Sequence, residues 1–149
     1  MKPCKRRLAA GIFATGLLAM YGVAAAGPAP RASCGANMVR GTYGIQLSGH
    51  RPAPGGTETV IGIVVRHYDG EGGIQQWDNV KGEITGYVPS RFGTGTYKVN
   101  DDCTVDMEFH PGPGITIVER GVIVDGGNEI RTITVVPAGV MVTATHIRI

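Results

Sequence analysis

From residue 38 to the C-terminus, short runs rich in Val, Ile, Thr and Tyr are cut by Gly, Pro, Asp and Asn, and no stretch carries a helical period. A chain divided this way cannot build long amphipathic helices. It can build strands joined by turns. The expected strands are 41–48, 58–68, 73–81, 94–99, 103–109, 115–124, 129–136 and 140–149, with a further short strand near 84–88 inside an irregular stretch. In the first, Tyr43, Ile45 and Leu47 alternate with Gly44, Gln46 and Ser48, so one face is apolar. The second is apolar on both faces. Asp69-Gly70, Asn100-Asp101, Asp125-Gly126-Gly127 and Pro137-Ala138-Gly139 supply the turns. The Pro/Gly-rich segments 50–56 and 110–114 read as loops, the second as one that no strand crosses.

About eight strands at this spacing predict an all-β domain, a single antiparallel meander. Such a meander must bury two faces or close on itself. A closed up-and-down barrel is the preferred architecture, because closure removes exposed edges. A two-sheet β-sandwich is the alternative. The 24 glycines among 149 residues suit the strong coiling of a barrel.

The first 26 residues read as a signal-peptide helix. Lys2, Lys5, Arg6 and Arg7 precede an apolar run from Leu8 that ends in Ala24-Ala25-Ala26, and cleavage is expected after Ala26. An uncleaved anchor, a twin-arginine signal and a lipoprotein fit less well: the run is weakly hydrophobic, the residues flanking Arg6-Arg7 are wrong, and Arg31-Ala32-Ser33 precedes Cys34. Residues 27–37 form a flexible lead-in and residues 38–149 the barrel domain. Without the leader's four basic residues, 10 Lys and Arg face 12 Asp and Glu, a net charge of −2. The basic stripe that nucleic acid requires is missing, so no nucleic-acid partner is expected. Neither is stable membrane insertion after cleavage. The location expected is the periplasm or the extracellular medium.

Cys4 leaves with the leader, and Cys34 and Cys103 remain as an even pair, expected to form a disulfide in an oxidising compartment. Closing a loop of about 70 residues is worth about 4 kcal/mol in the chain-entropy model.

Two echoes run through the chain. Gly41-Thr42-Tyr43 recurs as Gly95-Thr96-Tyr97, and the apolar run ending at Asp69-Gly70 recurs as the run ending at Asp125-Gly126. A duplicated half-barrel and a repeated use of the same turn chemistry both account for them. The runs GTYGIQLSG (41–49), VVRHYDGEGG (64–73) and GTGTYKVNDDCT (93–104) resemble a group of small exported bacterial proteins with no assigned biochemical role. Their shared pattern is G-T-Y, then D-G-x-G-G, then G-T-Y-x-V-N-x-D-C-T. In layout the chain is also similar to the barrels of the lipocalin, allene oxide cyclase and dirigent families. That likeness implies architecture and transfers no functional residue.

Few residues stand out as chemistry. His50, His67, His110 and His146 have no metal-ligand spacing, and no metal or cofactor is expected. The candidate ligand-binding residues are Arg66, His67, Trp77 and Glu119. Alternation puts Arg66 and Tyr68 on one face and His67 on the other; at a barrel mouth either could meet an anion. Trp77 could stack on a ligand or plug the barrel end. Glu119 and Arg120 interrupt an apolar strand on opposite faces. If Glu119 faces inward it needs a partner, and Arg66, Arg131 and Arg148 are the candidates. No nucleophile elbow or phosphate loop is present, and no free cysteine is left, so no catalytic residue is assigned.

Three functions are consistent with these features. The first is a non-catalytic exported barrel that binds a small apolar or amphipathic molecule. The second is an interaction module using 50–56 and 110–114. The third is a cyclase- or isomerase-like enzyme using Arg66, His67, Glu119 and Tyr97.

Overall fold

The structure, a computed structural model, describes residues 33–149. The signal peptide and the lead-in up to residue 32 lie outside the described residues. Eight antiparallel strands close into a barrel in strict sequence order. They are β1 (Gly41–Ala53), β2 (Gly56–Tyr68), β3 (Gly73–Gly82), β4 (Gly86–Val99), β5 (Thr104–Gly112), β6 (Ile115–Val124), β7 (Glu129–Val136) and β8 (Met141–Arg148). Closure is the pairing of β1 with β8, from Tyr43 opposite Arg148 to His50 opposite Met141. The barrel therefore prevails over the sandwich.

The expected strands are present, and several run further than expected. Residues 50–53 and 56 belong to the β1–β2 hairpin rather than to a loop, with Pro52 opposite Thr57. Proline is tolerated there because β8 stops pairing at His50, which leaves β1 with one neighbour. β5 likewise crosses the supposed barrier at His110 and reaches Gly112. Pro111 sits where the β5–β6 register shifts, so it takes the place of an unpaired bulge residue. The irregular stretch before residue 94 is the first half of one bulged strand, β4. Pro89 and Ser90 bulge opposite Asn79, whose side-chain oxygen accepts the Ser90 N–H at 3.0 Å. Each proline that argued against a strand is thus at a one-sided or bulged position.

The two ends of the barrel differ. At one end lie the turns 69–72, 100–103 and 125–128. A single 3-10 turn, Ala36–Val39, packs into this end, with Val39 fully buried. Tyr97 donates to the Ala36 carbonyl at 3.1 Å, so order begins before residue 38 and the lead-in is held beyond Cys34 alone. Tyr43 and Tyr97 flank Tyr68 edge-on, at 5.2 and 5.1 Å between ring centres. The Cys34–Cys103 disulfide ties the turn to the β4–β5 connection. This is the closed end. The hairpins β1–β2, β3–β4, β5–β6 and β7–β8 ring the opposite, open end.

The echoes are not one repeat. Gly41-Thr42-Tyr43 opens β1, which runs away from the closed end, whereas Gly95-Thr96-Tyr97 lies on β4, which runs toward it. The two Asp-Gly turns instead follow β2 and β6, four strands apart. No single shift superposes both pairs. Gly95 has its own structural reason: a Cβ there would come within 2.1 Å of the Glu108 carbonyl on β5.

Candidate functional site

Inward-facing positions on β2 and β3 are not uniformly apolar. On β2 they include Glu58, Val60, Val64, Arg66 and Tyr68, and on β3 Ile74, Gln76, Asp78 and Val80. A charge inside a barrel requires a partner, and each of these has one. Arg66, 2% exposed, is the centre. Its Nη1 donates to Glu119 Oε2 across the barrel at 3.0 Å and to Tyr68 OH at 3.3 Å, and its Nε donates to Gln76 Oε1 at 2.8 Å. The guanidinium lies over the Phe109 ring, 4.5 Å from its centre. Tyr68 OH is 3.0 Å from His146 Nδ1, and His146 Nε2 is 3.3 Å from Thr132 Oγ1. Toward the open end, Arg91 grips Asp78 with Nε and Nη2 at 2.8 and 3.1 Å. At the mouth Glu58 accepts from Arg51 at 2.7 Å, and at 2.8 Å from the Thr85 hydroxyl and the N–H groups of Ile84 and Thr85. Gly82 makes room for that carboxylate: a Cβ there would lie 2.3 Å from Glu58 Oε2.

Proton affinities follow from these contacts. Burial pulls the Arg66 guanidinium down, but the Glu119 carboxylate and the Tyr68 hydroxyl together, by charge and hydrogen bonding, outweigh it and the net shift is upward, so Arg66 stays charged. Burial pushes Tyr68 up to about 12. Burial, then the Arg66 charge, lowers His146 well below its ordinary value, which keeps it neutral. Burial pushes Glu58 upward, but the donors from Thr85, Arg51 and Ile84 win and set it at about 2.

Above this network lies a cavity of about 240 Å³, lined by twenty side chains from every strand and the β7–β8 turn. Ile45, Leu47, Val64, Ile117, Val142 and Ala144 make much of its apolar wall, and Arg66, Glu119, Gln76, Asp78 and Arg91 its polar groups. A second hollow of about 450 Å³ runs along the outside of β1, β2 and β8, beside Ile63, Val65 and Ile147. It is larger but lined by no charged side chain, and the converging polar groups belong to the inner cavity.

The structure brings two of the four candidate residues together. Arg66 and Glu119 form the buried pair, so Arg66, rather than Arg131 or Arg148, is the partner of Glu119. His67 is exposed on the outer wall, where it meets Thr42 Oγ1 at 3.2 Å, and does not line the cavity. Trp77 is also outside, 43% exposed and packed on Phe92 at 5.1 Å. It neither stacks in the cavity nor plugs an end. The register explains this: Gln76 and Asp78 face inward, so Trp77 between them must face out. Tyr97 belongs to the closed end and does not line the cavity. Gln76, Asp78, Arg91, Tyr68 and His146 complete the network, and sequence reasoning did not assign them to a site. Among the described residues no three His, Cys, Asp or Glu side chains could hold a metal ion, and no helix is long and apolar enough to cross a membrane.

The fold and site define an eight-stranded up-and-down barrel with a polar-floored internal cavity. No family model, curated protein or solved structure matches the chain.

Proposed function

We propose that the chain is an exported barrel that holds a small apolar or amphipathic molecule in the cavity at its open end. One observation carries the reading: the barrel interior is sealed at one end by the 3-10 turn and tyrosines, yet keeps a cavity of about 240 Å³ at the other, with apolar walls and a few fixed polar groups. That combination is the usual character of a small-molecule site. The leader pattern of residues 1–26 and the Cys34–Cys103 bond support export to the periplasm or beyond. Arg66 and Glu119 are the ligand-facing residues in this reading.

The test is mass spectrometry on protein recovered from the periplasm, under denaturing and then native conditions. The expected denatured mass is that of a chain beginning at Gly27 and lacking two hydrogens. The expected native spectrum shows a reproducible added mass that is absent from Val142→Phe, which fills the mouth. An unprocessed chain overturns the export part. A bare native mass for wild type, together with failure to bind any apolar probe, overturns the binding part.

A further inference from the structure

The polar floor of the cavity has a definite hydrogen-bonding character. Arg66 makes its contacts through Nε and Nη1, and Glu119 through Oε2. Arg66 Nη2 and Glu119 Oε1 have no partner among the described residues. They are not sealed off either: among the described residues, the fully buried side-chain polar atom without a partner is Arg148 Nε, at the closed end. Both residues line the cavity, although Arg66 is 2% and Glu119 5% exposed. A cationic donor and an anionic acceptor, both belonging to one ion pair, thus border the cavity under apolar walls.

The geometry points to a neutral hydroxyl compound, an alcohol or phenol on an apolar body, as the class of ligand; this rests on the binding reading above. A hydroxyl oxygen accepts from Arg66 Nη2 while its O–H donates a hydrogen bond to Glu119 Oε1. A carboxylate has no proton for Oε1 and is repelled by it. A hydrocarbon leaves both groups unmatched, and unmatched buried groups discriminate strongly. The scale on which an apolar cavity of about 150 Å³ holds benzene gives this one a body of about ten non-hydrogen atoms.

Naphthalene, 2-naphthol and 2-naphthoate share a body of that size and separate these cases. The experiment is calorimetric titration of the disulfide-bonded mature protein at pH 7 with each compound. The expected result is 2-naphthol binding at least about tenfold tighter than the other two, as a hydrogen bond to a charged group implies. Glu119→Gln removes the negative charge and keeps the shape, so it should invert the order in favour of 2-naphthoate. R66M/E119L, which removes both charges, should bind naphthalene and 2-naphthol alike. Equal binding of all three by wild type overturns the hydroxyl assignment and leaves the binding barrel standing. No binding of any probe, with Val142→Phe indistinguishable from wild type, overturns both.

Discussion

The closed and open ends of the barrel are built from the same eight strands and solve opposite problems. At the closed end Val39, Tyr43, Tyr68 and Tyr97 fill the interior, and a covalent bond holds the filling in place. Arg148 adds a clasp, donating through Nη2 to Tyr43 OH and the Gly127 carbonyl at 2.9 Å and also to the Met38 carbonyl. At the open end polar side chains occupy inward positions and hold each other in place as ion pairs: Arg51 with Glu58, Arg91 with Asp78, Arg66 with Glu119. Packed aromatics leave little space; paired charges keep their geometry without filling the lumen. The difference teaches that this barrel closes one end by packing aromatic rings and leaves the other end with the cavity.

The largest expected effect falls on the floor of the cavity. Arg66→Met alone strands the Glu119 carboxylate in the interior and should cost about 3–5 kcal/mol in urea unfolding. R66M/E119L should recover most of that loss, because what destabilises is the uncompensated charge rather than the missing pair. A double variant no better than the single one would mean that Arg66 acts chiefly through its packing on Phe109.

Removing the closed-end bond comes next. Cys34→Ser with Cys103→Ser should lower stability by about 4 kcal/mol through loop entropy. Probe binding at low temperature should persist, since the cavity is at the other end. Binding lost in step with the disulfide would break the separation of the ends.

Acid should weaken the buried network first and the mouth second. Below about pH 6.5 the unfolded chain protonates His146 while the folded barrel resists, so stability falls as pH falls, by up to about 1.4 kcal/mol per unit for one proton. Below about 4.5 the unfolded chain also protonates Glu58, which the folded mouth holds at about 2, and a further loss follows as pH approaches that value. Urea midpoints measured from pH 7.5 to 3.5 test this, and His146→Asn should flatten the upper limb.

The smallest effect is expected at Trp77. Because the ring is outside and partly exposed, Trp77→Ser should cost under about 1 kcal/mol and leave probe titrations unchanged. A loss of binding would return the tryptophan to the site.

The residues explain why the fold was more legible than the site. Turn formers at Asp69-Gly70, Asp125-Gly126 and Pro137 punctuate the chain locally, and β6 and β7 begin and end where the turns require. Pro52, Pro89 and Pro111 misled because a proline's missing donor matters only where a neighbouring strand needs it, and neighbours are not visible in a linear chain. The site was half legible. Glu119 stood out as a charge in an apolar run, and Arg66 by alternation with His67. Gln76 and Asp78 were hidden beside Trp77, since the largest apolar ring in a strand ordinarily faces inward. Here the lumen is polar at that level and the rule inverts.

By itself, the amino-acid sequence determined that the chain forms about eight strands, their antiparallel succession and the pairing of the two cysteines beyond residue 26. These follow from local backbone preferences, turn chemistry and a count. Only the tertiary structure decided which charges meet. Arg66 and Glu119 are 53 residues apart, and closure of the barrel brings them to 3.0 Å. Whether a strand's polar face looks into a lumen or out to water depends on the register of every neighbouring strand, which is a property of the closed sheet and of no single segment.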